Sequence, residues 1–180
     1  MDHIETDLDR RRKFTEIGPM LVLVLIMVVA ALLRFTGLDW DEGTHLHPDE
    51  RFLTTVEAAI EPTYSIREYF TTATSPLSPY NRGHGFFVYG TLPIFVVRYV
   101  AEGLNTICAS SAGCTVFFTG YDGVYLVGRA LSALADLGTV LILFAIGRQL
   151  HDERVGLLAA VLGATAVLPI QQSQIGRAHV

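Results

Sequence analysis

The sequence predicts an all-α, polytopic helical membrane protein, and three observations carry that prediction. Of the 180 residues 51% are apolar and only 17% charged, with a positive mean hydropathy, a balance that belongs to membrane chains and not to soluble globules. Long apolar runs recur along the chain, beginning with "IGPMLVLVLIMVVAALL" from Ile17 to Leu33. A basic cluster, "RRRK" from Arg10 to Lys13, stands directly before that first run, as the positive-inside rule requires of a cytoplasmic flank.

Residues 1–16 are therefore read as a cytoplasmic N-terminus and 17–38 as a transmembrane helix. At about 1.5 Å per residue the uncharged run nearly crosses a ~30 Å hydrocarbon layer, and Arg34 is expected to snorkel to its edge. A signal peptide is the rival reading. Its apolar core is usually shorter and ends at a small-x-small cleavage site, and no such site follows here.

Residues 39–123 then form an outer loop. It contains "HLHPDERF", His45 to Phe52. Pro48 suits a first helical position, and Asp49 and Glu50 suit the positive end of a helix dipole. Phe52, Leu53, Val56, Ala59 and Ile60 recur at 3–4 spacing, so an amphipathic helix over 48–61 is expected, lying at the membrane surface. The segment 83–104, "GHGFFVYGTLPIFVVRYVAEGL", is apolar but broken by glycines, Pro93 and Arg98. It is read as partial or re-entrant. A loop follows that carries Cys108 and Cys114, with no Lys or Arg between Arg98 and Arg129, and an outer location would permit a disulfide between them.

Residues 124–147 make the next transmembrane helix, with Arg129 and Asp136 at i and i+7 on one face. A short charged loop, 148–154, leads to a last transmembrane helix over 155–174. Ionisable residues at membrane depth are rare and are usually paired or functional. Folding this stretch alone is expected to leave Arg129 and Asp136 without partners. Residues 175–180, "IGRAHV", are what one frame of a common sequencing adapter encodes. A non-native tail is expected there, with histidine as the natural residue 174, and Arg177 and His179 are given no role.

The chemistry-bearing residues cluster in the outer loop. Asp49 and Glu50 are the candidate catalytic pair, because a carboxylate at the mouth of an apolar cleft is partly desolvated and becomes a stronger base. Acids in a first turn are also ordinary helix caps, and the residues alone leave both readings open. His45 and His47 are additional candidates. With the acids beside them they make an unspecific ligand set, and the spacing calls for no metal site. Arg82 and His84 in "YNRGHGFF" suit a phosphate, since the guanidinium fork matches phosphate oxygens, or else an interfacial anchor. Arg129 joins them as a cation for phosphate. A formal charge of −5 and the lack of a basic stripe give no nucleic-acid footprint.

Taken together, "LLRFTGL…HPDERF" and "GRALSALADLGTVLILFAIGRQLHDERVGLLAAVLGATAVLPIQQS" resemble the N-terminal part of a GT-C membrane glycosyltransferase bundle. The likeness is to the branch with protein O-mannosyltransferases and lipid A aminoarabinose transferases, and it runs from Leu32 to Ser173. The family's Asp-Glu pair maps onto Asp49 and Glu50, and its Arg-x-x-Ser helix onto Arg129 and Ser132. The resemblance implies a multi-pass plasma-membrane enzyme with its active site outside the cytoplasm. It would move a sugar from a polyprenyl-phosphate carrier to a protein, lipid or glycan acceptor, with inversion. Asp49 would be the base, Glu50 its support, and Arg82, His84 or Arg129 the cations facing the leaving phosphate. No resident cofactor is implied, and a divalent metal is neither required nor excluded. The family's "PPL"-like stretch is replaced here by "GHGFFVYGTLP". A transporter-type or scaffold membrane protein is the competing class, with Arg129 and Asp136 as pathway charges in the first case.

Overall fold

The computed structural model describes residues 2–110, 114 and 117–175; for 2–17 only the backbone is described. Its regular elements are all helices, with no strand among the described residues. The elements are α1 (Asp2–Phe35), α2 (Pro48–Ala59), α3 (Ile66–Phe70), a 3₁₀ turn (Pro79–Arg82), α4 (Thr91–Ala109), α5 (Tyr121–Leu150), α6 (Glu153–Thr165) and α7 (Val167–Gln174). Among the described residues three helices are long and apolar enough to cross a membrane, Gly18–Phe35, Thr91–Ala109 and Tyr121–Leu150, or four if the bent pair Glu153–Thr165 and Val167–Gln174 is one span. The chain is thus a helical protein of membrane character. It divides into two compact units, one of residues 1–36 and 133–171, the other of 37–132 and 172–180. Helix α5 contributes to both.

In the first unit α1 packs against α6, and the seam is written in small residues. Gly156, Ala160 and Ala164 are the buried positions of α6, spaced four apart on one face. Leu23, Ile26 and Ala30 of α1 and Val140 of α5 complete that core. The α5–α6 crossing is tighter still. A Cβ on Gly147 would lie 2.9 Å from Cα of Gly156, and one on Gly156 2.7 Å from the Phe144 carbonyl oxygen, so only glycine fits both sides. The charged loop expected over 148–154 shrinks to His151 and Asp152, because α5 continues to Leu150 and Asp152 caps α6 by accepting the Val155 N–H at 2.9 Å.

The last apolar segment is not one straight helix. It bends by 50° between α6 and α7, at Ala166, whose backbone is extended. Pro169 has no N–H to offer the Thr165 carbonyl, so the ladder fails there. Gly163 and Ala164 also lose their partners at the break, and Arg34 supplies new ones. Its Nη2 donates to the Gly163 carbonyl at 3.1 Å and its Nη1 to Ala164 at 3.0 Å and Ala30 at 3.1 Å. Its Nε donates to Asp136 at 2.6 Å. Arg34 is 0% exposed. Two expectations are thereby corrected: Arg34 does not snorkel, and Asp136 has a partner within the chain.

The second unit is built on α2, α4 and α5 up to Ser132. Val56, Ile60, Leu77, Phe87 and Ile94 form one core and Val97, Ala101, Val124 and Val127 another. The helix expected over 48–61 is α2, Pro48 at its head, but its polar side is buried as well as its apolar one: Glu50, Thr54 and Glu57 are all covered. The segment expected to be broken over 83–104 is a continuous helix that begins later, at Thr91. Cys108 and Cys114 are joined by a disulfide.

The buried arginine and the acidic head of the outer-loop helix

The candidate site lies in the second unit and is assembled around Arg129 on α5. The guanidinium is 0% exposed. Its Nε and Nη2 donate to the two carboxylate oxygens of Glu50 at 2.6 and 2.8 Å. Nη2 also pairs with Asp41 Oδ1 at 2.9 Å, and Nη1 donates to the Leu38 carbonyl at 2.8 Å. Its ring neighbours are Tyr125, 4.9 Å from the guanidinium carbon, and Trp40, 5.8 Å away. Such a fork-on-fork pair holds Glu50 in one orientation, which a lysine's point charge would not do. Tyr125 in turn donates its hydroxyl to Asp39 at 2.7 Å.

Burial alone would raise the Asp41 carboxyl, but the Arg129 guanidinium more than offsets that. With the Leu46 N–H also donating to it, Asp41 is held below the ordinary carboxylate range. Asp41 and Glu50 together outweigh the single charge of Arg129, so the cluster is net acidic. Arg129 is thus committed to protein carboxylates, and the expected phosphate contact does not fit this arrangement. The expectation that it lacks a partner is corrected too. Ser132, a turn along from it, makes no side-chain hydrogen bond in this cluster.

The two adjacent acids have different surroundings. Glu50 is 4% exposed and clamped, whereas Asp49 stands part-exposed in the same turn, at the helix head. His47 is the N-cap of α2: its Nδ1 accepts the Asp49 N–H at 3.3 Å. Arg51, exposed, donates through Nε and Nη2 to the His45 carbonyl at 3.3 and 3.0 Å, fixing the loop that enters the helix.

His45 is 2% exposed and has a left-handed backbone, φ +49, a conformation that costs about 1 kcal/mol or more outside glycine. Its ring lies 4.5 Å from that of Tyr121 and 4.6 Å from that of Tyr125, and neither nitrogen has a hydrogen-bond partner among the described residues. The remaining candidates lie further along α2. The His84 ring lies perpendicular to that of Phe52, centroids 6.2 Å apart; Phe52 is three residues along α2 from Asp49. Arg82 pairs with Glu61 at 2.7 Å and donates to the Pro76 carbonyl at 3.2 Å, beyond the other end of the helix. Among the described residues no group of three or more His, Cys, Asp and Glu side chains is gathered as for a metal ion.

Sequence reasoning missed Asp41, Asp39, Tyr125 and Glu57. Glu57 is 7% exposed. Burial first, and the nearby Glu50 charge second, push it up to about 8. The signal was present: Glu50, Thr54 and Glu57 fall at i, i+4 and i+7, on one helical face. No family model matches the chain, and neither a curated protein nor a solved structure does.

Proposed function

We propose that the protein belongs to an extracytoplasmic sugar-transfer machinery, with Asp49 as the base that activates the acceptor. In this reading the Asp49 carboxylate removes the proton of an acceptor hydroxyl or amine. The freed lone pair attacks the anomeric carbon of a lipid-linked sugar, and the bond from that carbon to the carrier phosphate breaks. The product has inverted configuration, and polyprenyl phosphate leaves with the bonding electrons.

One observation supports the assignment above the rest: the contrast between neighbours at the head of α2. Glu50 is buried and neutralised by Arg129, so it fixes the helix head and is not available as a base. Asp49 occupies the same turn at its part-exposed margin, where an acceptor has access. His84, whose ring lies 6.2 Å from that of Phe52 on the same helix as Asp49, is in this reading the group to face a leaving phosphate, since Arg129 is engaged with carboxylates. The rival reading, a transporter with Arg129 and Asp136 as pathway charges, draws no support from side chains that are both engaged in ion pairs.

The test is sugar transfer in membranes bearing the protein. Asp49→Asn should lower transfer by about 10²-fold or more at unchanged expression, the scale of a lost general base. Asp49→Glu should restore part of it. Transfer that is unchanged in Asp49→Asn removes the base assignment.

A further inference from the structure

Among the described residues five have a left-handed backbone, and four of them fall between positions 37 and 45: Gly37 (φ +74), Glu42 (+49), Gly43 (+72) and His45 (+49). Residues other than glycine keep that conformation only where their surroundings over-determine it. The loop between α1 and α2 meets this condition. Arg129 Nη1 donates to the Leu38 carbonyl at 2.8 Å, and its Nη2 pairs with Asp41 at 2.9 Å. The Tyr125 hydroxyl donates to Asp39 at 2.7 Å. Within the loop the Asp41 carbonyl accepts the Thr44 N–H at 2.9 Å, and the Asp41 carboxylate accepts the Leu46 N–H at 3.3 Å. All these partners belong to the second unit.

Trp40 stands between the two anchored aspartates. The bonds of the loop fix its backbone and leave its ring uncovered: the side chain is 46% exposed. The Arg129 guanidinium carbon lies 5.8 Å from the ring centroid, and the same guanidinium grips Glu50, the neighbour of Asp49. A large open ring thus rests on the arginine that sets the head of α2. The loop around it is acidic, with Asp39 and Glu42 exposed and Asp41 buried. This composition suits a sugar. The C–H groups on one face of a pyranose are apolar and slightly positive, and they stack on the negative face of an aromatic ring. Its hydroxyls meanwhile donate to carboxylate oxygens, which only accept. A lipid surface suits the loop less, because carboxylates repel headgroup phosphates.

We propose that Trp40 is the sugar platform of the site: the pyranose ring of the lipid-linked donor stacks its C–H face on the indole and is held there for transfer. The proposal rests on the sugar-transfer reading. It adds the group that holds the donor's sugar, separate from the base.

Short-chain donors test it: the farnesyl phosphate esters of mannopyranose, glucopyranose, galactopyranose and arabinopyranose, offered to membranes bearing the protein. For the sugar that is transferred, Trp40→Ala should raise the donor KM about ten-fold, the scale of one lost stacking contact. Its kcat should stay within about two-fold of the parent, the pattern of lost ground-state binding. Trp40→Phe should recover most of the loss, and Trp40→Leu, equally apolar, should not. An unchanged KM in Trp40→Ala overturns the platform and leaves the base assignment standing. Full recovery by Trp40→Leu also overturns it, because the ring then acts only as an apolar anchor. A second measurement needs no change at position 40 and decides the case where those variants fail to fold. Trp40 is the single tryptophan, so its emission reports the ring directly. In the purified Asp49→Asn protein, which holds the donor without consuming it, the emission should change with the sugar ester and not with farnesyl phosphate alone. The same change with farnesyl phosphate assigns the ring to the lipid carrier, and no change with any ester leaves the ring without a ligand; either result overturns the proposal. If the parent transfers none of the four sugars, the sugar-transfer reading fails and the platform with it.

Discussion

The two units each bury one arginine completely, and they use it for different ends. Arg34 directs most of its donors to carbonyl oxygens at a helix break and one to Asp136, which is 20% exposed. Arg129 directs most of its donors to two carboxylates that are 0% and 4% exposed. The first arrangement repairs a backbone that Pro169 and Ala166 interrupt. The second gathers negative charge that would otherwise repel itself, at the head of the helix bearing Asp49. The same side chain is a structural plug in one place and an organiser of a candidate site in the other. What separates them is how much buried charge remains when the arginine is taken away.

That difference sets the largest expected effect. Arg129→Met leaves Glu50 and Asp41 buried without a counterion and should cost about 3–5 kcal/mol, the scale for breaking a buried pair from one side. Arg34→Met leaves a part-exposed carboxylate and three carbonyls without their side-chain donor, for roughly 2–3 kcal/mol. Thermal unfolding in detergent, followed by loss of helix signal, ranks the two. A larger loss for Arg34→Met would reverse the comparison and make the helix break the more important of the two. Glu50→Gln against Asp136→Asn sharpens it further, because Arg129 loses a bidentate partner and Arg34 keeps its carbonyl acceptors.

Periodicity found what is local in this fold. The apolar runs, the cap region at Pro48 and the tight charged turn all depend on neighbours within a few residues, and all were legible. The bend at Ala166 was half-legible, since Pro169 lies in plain view but its consequence depends on Arg34 being there to take the freed carbonyls. The partners of Arg129 were not legible. Asp41 and Glu50 lie 88 and 79 positions away along the chain, and only the packing of α5 beside the outer loop brings them together. For the same reason the burial of Glu57 escaped notice: the apolar stripe on α2 was read as its only covered face, and the helix turned out to be enclosed on two.

Glu57 gives the next effect in size, and its sign follows from its position. Its carboxyl titrates near pH 4.5 when unfolded and at about 8 when folded. Between those values the folded chain binds the extra proton, so stability falls as pH rises. The contribution is complete below about 4.5, is lost progressively up to about 8, and changes no further above that. Glu57→Gln mimics the protonated form and should flatten this slope. At pH 8 the variant should be the more stable, by on the order of a few kcal/mol, with the gap closing as pH is lowered toward the unfolded value. Parallel slopes for the two proteins would show that Glu57 is charged in the folded state. The burial of one full face of α2 would then need another explanation than a neutral carboxyl.

Arg82 should show the smallest effect on stability, and for that reason it is the most informative about chemistry. It pairs with Glu61 across side chains that are 30% and 60% exposed, where such pairs contribute less than about 1 kcal/mol. Unlike Arg34 and Arg129, it can be truncated without leaving a buried charge behind. Arg82→Ala should therefore unfold within about 1 kcal/mol of the parent. If the proposed function holds, a loss of sugar transfer in that variant reports the guanidinium itself, whose Nη2 and Nε are engaged with Glu61 and Pro76 among the described residues. Undiminished transfer with Arg82→Ala, beside a loss with His84→Ala, would assign the phosphate contact to the histidine packed on Phe52 and leave Arg82 a surface tie between its loop and the end of α2.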